Sequence, residues 1–455
     1  MKHPSLQRCA SDTQPFPRKT TVVWAVIVVA LLGAGAFFMF DRLANGLSLT
    51  GATNAVPWGL WVAVYIWFSG LAGGLYLISA LTYLLRIPRF ASVARLALGM
   101  SIVSLVVSMI FIGIDLGAIR NSWTVLPFFH WSSPLSWEIK AYIFFLIVSI
   151  AQLALVLYND RPRGQNRGNV NLAIRVLAGI GVATSFVGPP GGTGMFFAAV
   201  KTRGLWEGGI TSVLFYVMAL VSAAAFLIVV CRLLARLRAQ RVDEAAQTGL
   251  VWVFVASLAV LAFCVFFQLA PILLSNDPRS GVAVAAMLQG YLAPLFWIGE
   301  IGLGFVVPAV LLIAGYATRR AGFTVAAALS ALVGILSLRY VFVVAGFSAP
   351  LLEGLPQPIY LPSVSEVLVA LFVLGMTVAL FGLAVRFVPL EKAGAAEGFP
   401  GEPDSCAPAG GGPRPGDAIP LADDAAASSS AAPASLDASA YSTAYEGGAR
   451  DGARA

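Results

Sequence analysis

The sequence predicts an all-α, polytopic membrane helical bundle of about ten transmembrane helices, and three observations carry that expectation. Of its 455 residues, 58% are hydrophobic and only 11% charged, against roughly 25% charged in soluble domains. Thr21–Phe40, Pro57–Leu85, Ala141–Asn159 and Gly208–Cys231 each run for 19 or more residues without a charge, and a bilayer core needs about 20 apolar residues per helix. Between such runs the bases cluster in short loops, which accounts for the net charge of +7 without any nucleic-acid partner. Soluble enzymes, nucleic-acid binders and secreted disulfide scaffolds are excluded.

In sequence order, residues 1–20 read as a polar cytoplasmic tail. Apolar segments follow near 21–40, 57–85, 94–118, 136–158, 171–187, 209–231, 248–273, 291–316, 322–346 and 363–387. The first could pass for a signal peptide. Its apolar run continues through Phe37–Phe40, which favours an uncleaved span. With both termini inside, twenty-two Lys and Arg fall on the inner side and seven on the outer, so the positive-inside rule gives an N-in, C-in orientation. Trp58, Trp61, Trp123, Trp131, Trp137 and Trp206 then lie near the outer interface, where aromatic belts form. The whole stretch 21–390 is one transmembrane domain. Residues 391–455, rich in Ala, Gly, Ser and Pro with ten acids against four bases, read as a disordered cytoplasmic tail.

Cofactor chemistry is restricted by two counts. The histidines are His3 and His130 alone, and one histidine near the membrane cannot build a bis-His b-haem. Cys9, Cys231, Cys264 and Cys406 are scattered, whereas iron–sulfur and zinc sites need clustered thiolates. The expectation is a protein without haem, iron–sulfur cluster or metal.

Ionisable residues inside spans are expensive and mark function by default. Asp115 ends the third span, Glu138 opens the fourth, Glu300 interrupts the eighth, Arg339 the ninth, and Glu366 opens the tenth. All fall in the outer half or near mid-membrane. The competing reading for each is an interhelical ion pair. His130 competes as a loop interface residue, and both Gly70/Gly74 and the Ser101/Ser104/Ser108/Asp115 stripe compete as helix packing. The run Gly188-Pro189-Pro190-Gly191-Gly192-Thr193-Gly194 must break its helix. Such backbone survives at membrane depth only inside protein or beside a cavity, so it reads as a half-entering segment roofing an outer pocket.

Pro57-Trp58-Gly59-Leu60-Trp61-Val62-Ala63, Ile114-Asp115-Leu116-Gly117 with Arg120, Trp137-Glu138, Phe296-Trp297-Ile298-Gly299-Glu300, Arg339-Tyr340 with Ala345-Gly346-Phe347, and Pro362-Ser363-Val364-Ser365-Glu366 occur in that order. Over about residues 20–390 this resembles the NrfD/PsrC family of quinone-interacting membrane subunits, and most the larger, HybB-like branch. Hydrogenase-type members carry a histidine and serines where this sequence has Gly188–Gly194.

The resemblance implies a haem-free subunit of the bacterial inner membrane that exchanges electrons between menaquinone or ubiquinone and an outer iron–sulfur, ferredoxin-like subunit. Such complexes also hold a catalytic or cytochrome subunit, and the quinone site lies towards the outer face. Quinone chemistry needs an apolar tail channel, donors to the carbonyls and a proton exchanger. Glu138 is the candidate exchanger, with Asp115, Arg120 and His130 as headgroup or relay contacts and Trp58 and Trp137 as walls. Glu300 is a second acid, on a proton path or paired with Arg339; Glu366 belongs to the same class. The rival readings are a secondary transporter and a passive membrane anchor.

Overall fold

The computed structural model describes residues 16–159, 167–275, 278–350 and 356–390. Residues 1–15 and 391–455, which hold most of the two tails expected from the sequence, lie outside the described residues. Among those described, there are helices and no strand.

The first helix, α1 (Arg18–Asn45), follows Pro17, whose missing N–H costs nothing at a helix start. Next come α2 (Leu60–Tyr83), α3 (Ala91–Asp115), α4 (Pro134–Asn159) and α5 (Arg167–Val187). The Gly/Pro run then breaks the helix as its composition requires, around a cis Pro189–Pro190 bond, and restarts as the short α6 (Gly191–Ala198). Gly191 to Gly194 and Phe197 are buried, so the interruption is enclosed by protein. After it come α7 (Gly209–Leu237), α8 (Glu244–Ser275) and α9 (Pro278–Leu288), the last not foreseen as a separate element. A π-helical run, Leu295–Val306, leads into α10 (Val307–Thr318), followed by α11 (Ala321–Gly346) and α12 (Val364–Phe387). Ten segments of the described residues are long and apolar enough to cross a membrane. The protein is a multi-pass integral membrane protein.

Helix α2 is central. In its most apolar window 83% of residues are buried, against 17% in α1, and it packs on α3, α7 and α11. Lipid tails give no hydrophobic drive between helices, so small residues and hydroxyls must bring them together. A Cβ on Gly74 would collide with the Ala219 carbonyl of α7. Ser101 and Ser108 of α3 donate to the Ala72 and Tyr65 carbonyls of α2. These contacts bear out packing for the glycine pair and for two of the three serines.

The first and last spans pair with each other. Trp24 Nε1 donates to the Val378 carbonyl at 3.1 Å, and Gly35 lies against the Leu368 backbone. Because the spans alternate, the C-terminal ends of α1, α3, α5 and α11 share one face with the N-terminal ends of α2, α4, α7 and α12. Hydrogen bonds within that face agree, from Arg42 to Ile114, Trp61 to Glu366 and Trp206 to Phe342. Asp115, Glu138 and Glu366 all lie at span ends on this face, with Arg339 about two turns below it on α11.

Candidate functional site

Glu138 lies one turn into α4 and is 2% exposed. Its Oε1 accepts from the Tyr142 hydroxyl at 2.9 Å and from Thr193 Oγ1 at 2.6 Å. Tyr142 is the i+4 neighbour on the same helix face. Thr193 arrives from α6, the helix that the Gly/Pro break makes possible. Tyr142 also hydrogen-bonds Thr193 at 2.7 Å and Ser69 of α2. Four side chains from three helices thus form one buried cluster, and Glu138 Oε2 in it has no hydrogen-bond partner. Among the described residues no cation lies within ion-pair distance of Glu138, so an interhelical ion pair is not its setting. Sequence reasoning missed Tyr142, Thr193 and Ser69. Tyr142 four residues after Glu138 was the available signal.

Helix α6 also reaches the aromatic wall. Three and four residues after Thr193, Phe196 and Phe197 pack on Trp58, with ring centroids at 5.4 and 5.9 Å. Trp58 stacks on Trp206 at 5.9 Å, and Trp206 donates to the Phe342 carbonyl. Trp206 fills the space where Gly346 lacks a side chain. Beside it, Arg203 is drawn onto the Phe347 ring and the Ala349 carbonyl, and burial lowers its guanidinium pKa from the ordinary value.

Asp115 is the last residue of α3 and half-buried. Arg42 of α1, 3% exposed, donates through Nε to the Ile114 carbonyl at 2.8 Å and through Nη2 to the Leu116 carbonyl at 2.7 Å.

Glu366 is a helix cap. Its Oε2 accepts from the backbone N–H of Ser363 at 2.7 Å and of Gly51 at 3.1 Å, while the Ser363 hydroxyl accepts from Glu366 N. This is the reciprocal capping box. Glu366 Oε1 takes the Tyr360 hydroxyl at 2.8 Å, and that hydroxyl in turn accepts from Leu60 N at the start of α2. Burial pushes the Tyr360 pKa up, so the phenol stays a donor. With its oxygens committed this way, Glu366 takes the place of a cap where the sequence suggested a proton path or ion pair.

Arg339 is 1% exposed, and none of its three guanidinium nitrogens has a hydrogen-bond partner. It lies over the Phe215 ring at 5.0 Å and fills the space beside Gly70. Glu300, buried in the π-helical run, borders a small cavity with Gln268, Met287, Leu338 and Phe342. Arg339 and Glu300 form no ion pair. The remaining sequence candidates stay at the surface. Arg120 and His130 make no hydrogen bond to Glu138 or Asp115. Trp137, 40% exposed, packs on Phe129 and Trp131. Lys140 braces the preceding segment through the Val125 and Phe128 carbonyls, both at 2.9 Å.

This arrangement has known counterparts. The sequence is 26% identical over 393 residues to a membrane-complex relative, a selenate reductase subunit of Mesobacillus selenatarsenatis, with 78% of this protein and 91% of that one aligned. It is 22% identical over 394 residues to the menaquinone reductase integral membrane subunit of Nitratidesulfovibrio vulgaris, with 81% and 91% aligned. With a polysulfide reductase polypeptide of Wolinella succinogenes it shares 24% identity over 311 residues, with 64% and 95% aligned. The family model described as "Polysulphide reductase, NrfD" matches residues 48–350, which hold α2 to α11 and leave the α1/α12 pair outside. On that match the protein belongs to the NrfD family.

Proposed function

We propose that the protein is the haem-free membrane subunit of a respiratory oxidoreductase complex in a bacterial inner membrane, nearest in kind to the HybB-like branch. It exchanges electrons between menaquinone or ubiquinone and an extracytoplasmic iron–sulfur subunit, itself joined to a catalytic or cytochrome subunit. On this reading both tails are cytoplasmic and the face bearing Glu138 is the outer one. The names of the relatives, a menaquinone reductase subunit and a polysulfide reductase polypeptide among them, support the reaction class. The one observation that carries the site is Glu138, a buried acid with one oxygen held by two hydroxyls and the other unpartnered.

The group fits the residues present. A quinone supplies two-electron, two-proton chemistry and needs a carboxyl that can change its protonation beside it. Tyr142 and Thr193 fix the Glu138 carboxyl through Oε1 and leave Oε2 to take or give a proton. The aromatic wall of Trp58, Phe196 and Phe197 excludes water and offers apolar surface to a ring. Asp115 relays protons at the edge of the face.

The test is Glu138→Gln in the intact complex, which keeps size and hydrogen bonding. Quinone-linked turnover should fall by about 10²-fold or more, the scale of a lost general acid–base. Assembly, and electron transfer from the soluble partners to an artificial dye, should persist. Normal quinone turnover would make Glu138 structural and pass the test to Glu300; failure to assemble would assign it to packing.

A further inference from the structure

The α1/α12 pair lies outside the region shared with the family model, is largely open to lipid along its length, and yet closes on the site face through buried polar contacts. From α12, the Glu366 carbonyl accepts from Trp61 Nε1 at 3.0 Å. The Trp61 ring lies under the Arg42 guanidinium of α1 at 5.9 Å. Arg42 then captures the carbonyls of Ile114 and Leu116, the residues immediately before and after Asp115. Four helices are thereby buckled together at one acid.

The chemistry of that buckle is specific. The last carbonyls of a helix have no partner within it, and a cation there also meets the negative end of the helix dipole. Any buried donor could satisfy the first need. A guanidinium satisfies both, and its rigid fork spans two carbonyls at once. It spends those donors on backbone and makes no ion pair with the Asp115 carboxylate among the described residues. The carboxylate is therefore left open, with a fixed positive charge nearby. The other groups facing Asp115 are Glu366 from α12 and Tyr65 from α2; Glu366 is already held by Ser363, Gly51 and Tyr360. Arg42 is also one of only seven basic residues assigned to the outer half by loop charge, so it runs against the orientation bias rather than serving it.

We propose that Arg42 is a positioning residue for Asp115: it fixes the backbone on both sides of the acid and holds a positive charge beside it, making the α1/α12 pair a working part of the site. The proposal rests on the quinone-site reading of Asp115 given above.

The experiment compares Asp115→Asn, Arg42→Met, Arg42→Gln and Arg42→Lys in the reconstituted complex, with a short-chain quinol analogue and an artificial dye as separate acceptors or donors. Displacing a reacting group by about 1 Å costs on the order of 10²-fold. Asp115→Asn and Arg42→Met should therefore lower quinone-linked kcat by about tenfold or more, with KM moved by less than about threefold and dye-linked rates kept. Arg42→Lys, which keeps the charge, should recover most of the rate; Arg42→Gln, which keeps a donor and drops the charge, should not. If Asp115→Asn turns over normally, the reading of Asp115 fails and Arg42 loses its object. If Asp115→Asn is impaired while Arg42→Met and Arg42→Gln are normal, this inference alone fails. Equal recovery by Gln and Lys, or loss of assembly in all three Arg42 variants, would reduce Arg42 to a helix cap and overturn it.

Discussion

Replacing Thr193 with valine removes one hydroxyl and almost no volume. In the structure that hydroxyl makes the shorter of the two bonds to Glu138, 2.6 Å, and a second of 2.7 Å with Tyr142. Side-chain hydrogen bonds between membrane helices average about 0.6 kcal/mol, so losing two costs the fold roughly 1 kcal/mol. The cost at the acid is larger, because a hydrogen bond to a charged group contributes about 1.5–3 kcal/mol. Tyr142 still holds Oε1 at 2.9 Å, but the carboxyl loses its second anchor. At about 1.4 kcal/mol per decade, quinone-linked kcat should fall by roughly tenfold to a hundredfold. The assay is turnover of the reconstituted complex with a quinol analogue, set against dye-linked turnover and a thermal melt of the same preparation. Thr193→Ser, which restores the hydroxyl, should return to near the parent rate. A valine variant within twofold of the parent at full occupancy would refute the view that Thr193 organises Glu138, and with it the functional reading of α6.

Two further predictions test the frame around the site. Gly74→Ala should cut the yield of folded protein, since its Cβ would collide with the Ala219 carbonyl, whereas Gly33→Ala has nothing within 4 Å and should be neutral or gain up to about 1 kcal/mol of helix propensity; equal melting temperatures for the two would refute the close approach of α2 and α7. A reporter fused after Lys392 should be cytoplasmic and one inserted after Ser132 extracytoplasmic, and finding both on one side would remove the outer placement of the site.

The fold was legible because a bilayer imposes one rule, about 20 apolar residues per crossing, and this sequence obeys it with few charges. What failed to read was local. The predicted span 291–316 is a π-helical run joined to α10, with the separate helix α9 before it, and a change from α to π pitch leaves no mark in apolar periodicity. Glu138 and Arg339 were found because charge inside a span is conspicuous. Thr193, Tyr142 and Ser69 escaped because neutral hydroxyls inside spans are common and cheap. Glu366 was visible for the wrong reason. Ser363-x-x-Glu366 before an apolar run is a capping-box signature, and that is the geometry it adopts. Arg42 was counted as loop charge, since nothing in the linear sequence shows that it reaches α3, 72 residues away.

Arg339 sets up a conflict between robustness and work. A guanidinium buried to 1% exposure with no hydrogen bond carries a desolvation cost of several kcal/mol, of which contact with the Phe215 ring returns about 2 kcal/mol. Methionine has similar length, packs against Gly70 and Phe215 without that cost, and replacements of this kind often stabilise by about 1–4 kcal/mol. Arg339→Met should therefore raise the melting temperature while lowering quinone-linked turnover; a variant that melts lower than the parent would show that the charge holds the fold together. Selecting thermostable variants by melting temperature alone would draw the search to position 339 and, at that position, select against the activity it was meant to preserve.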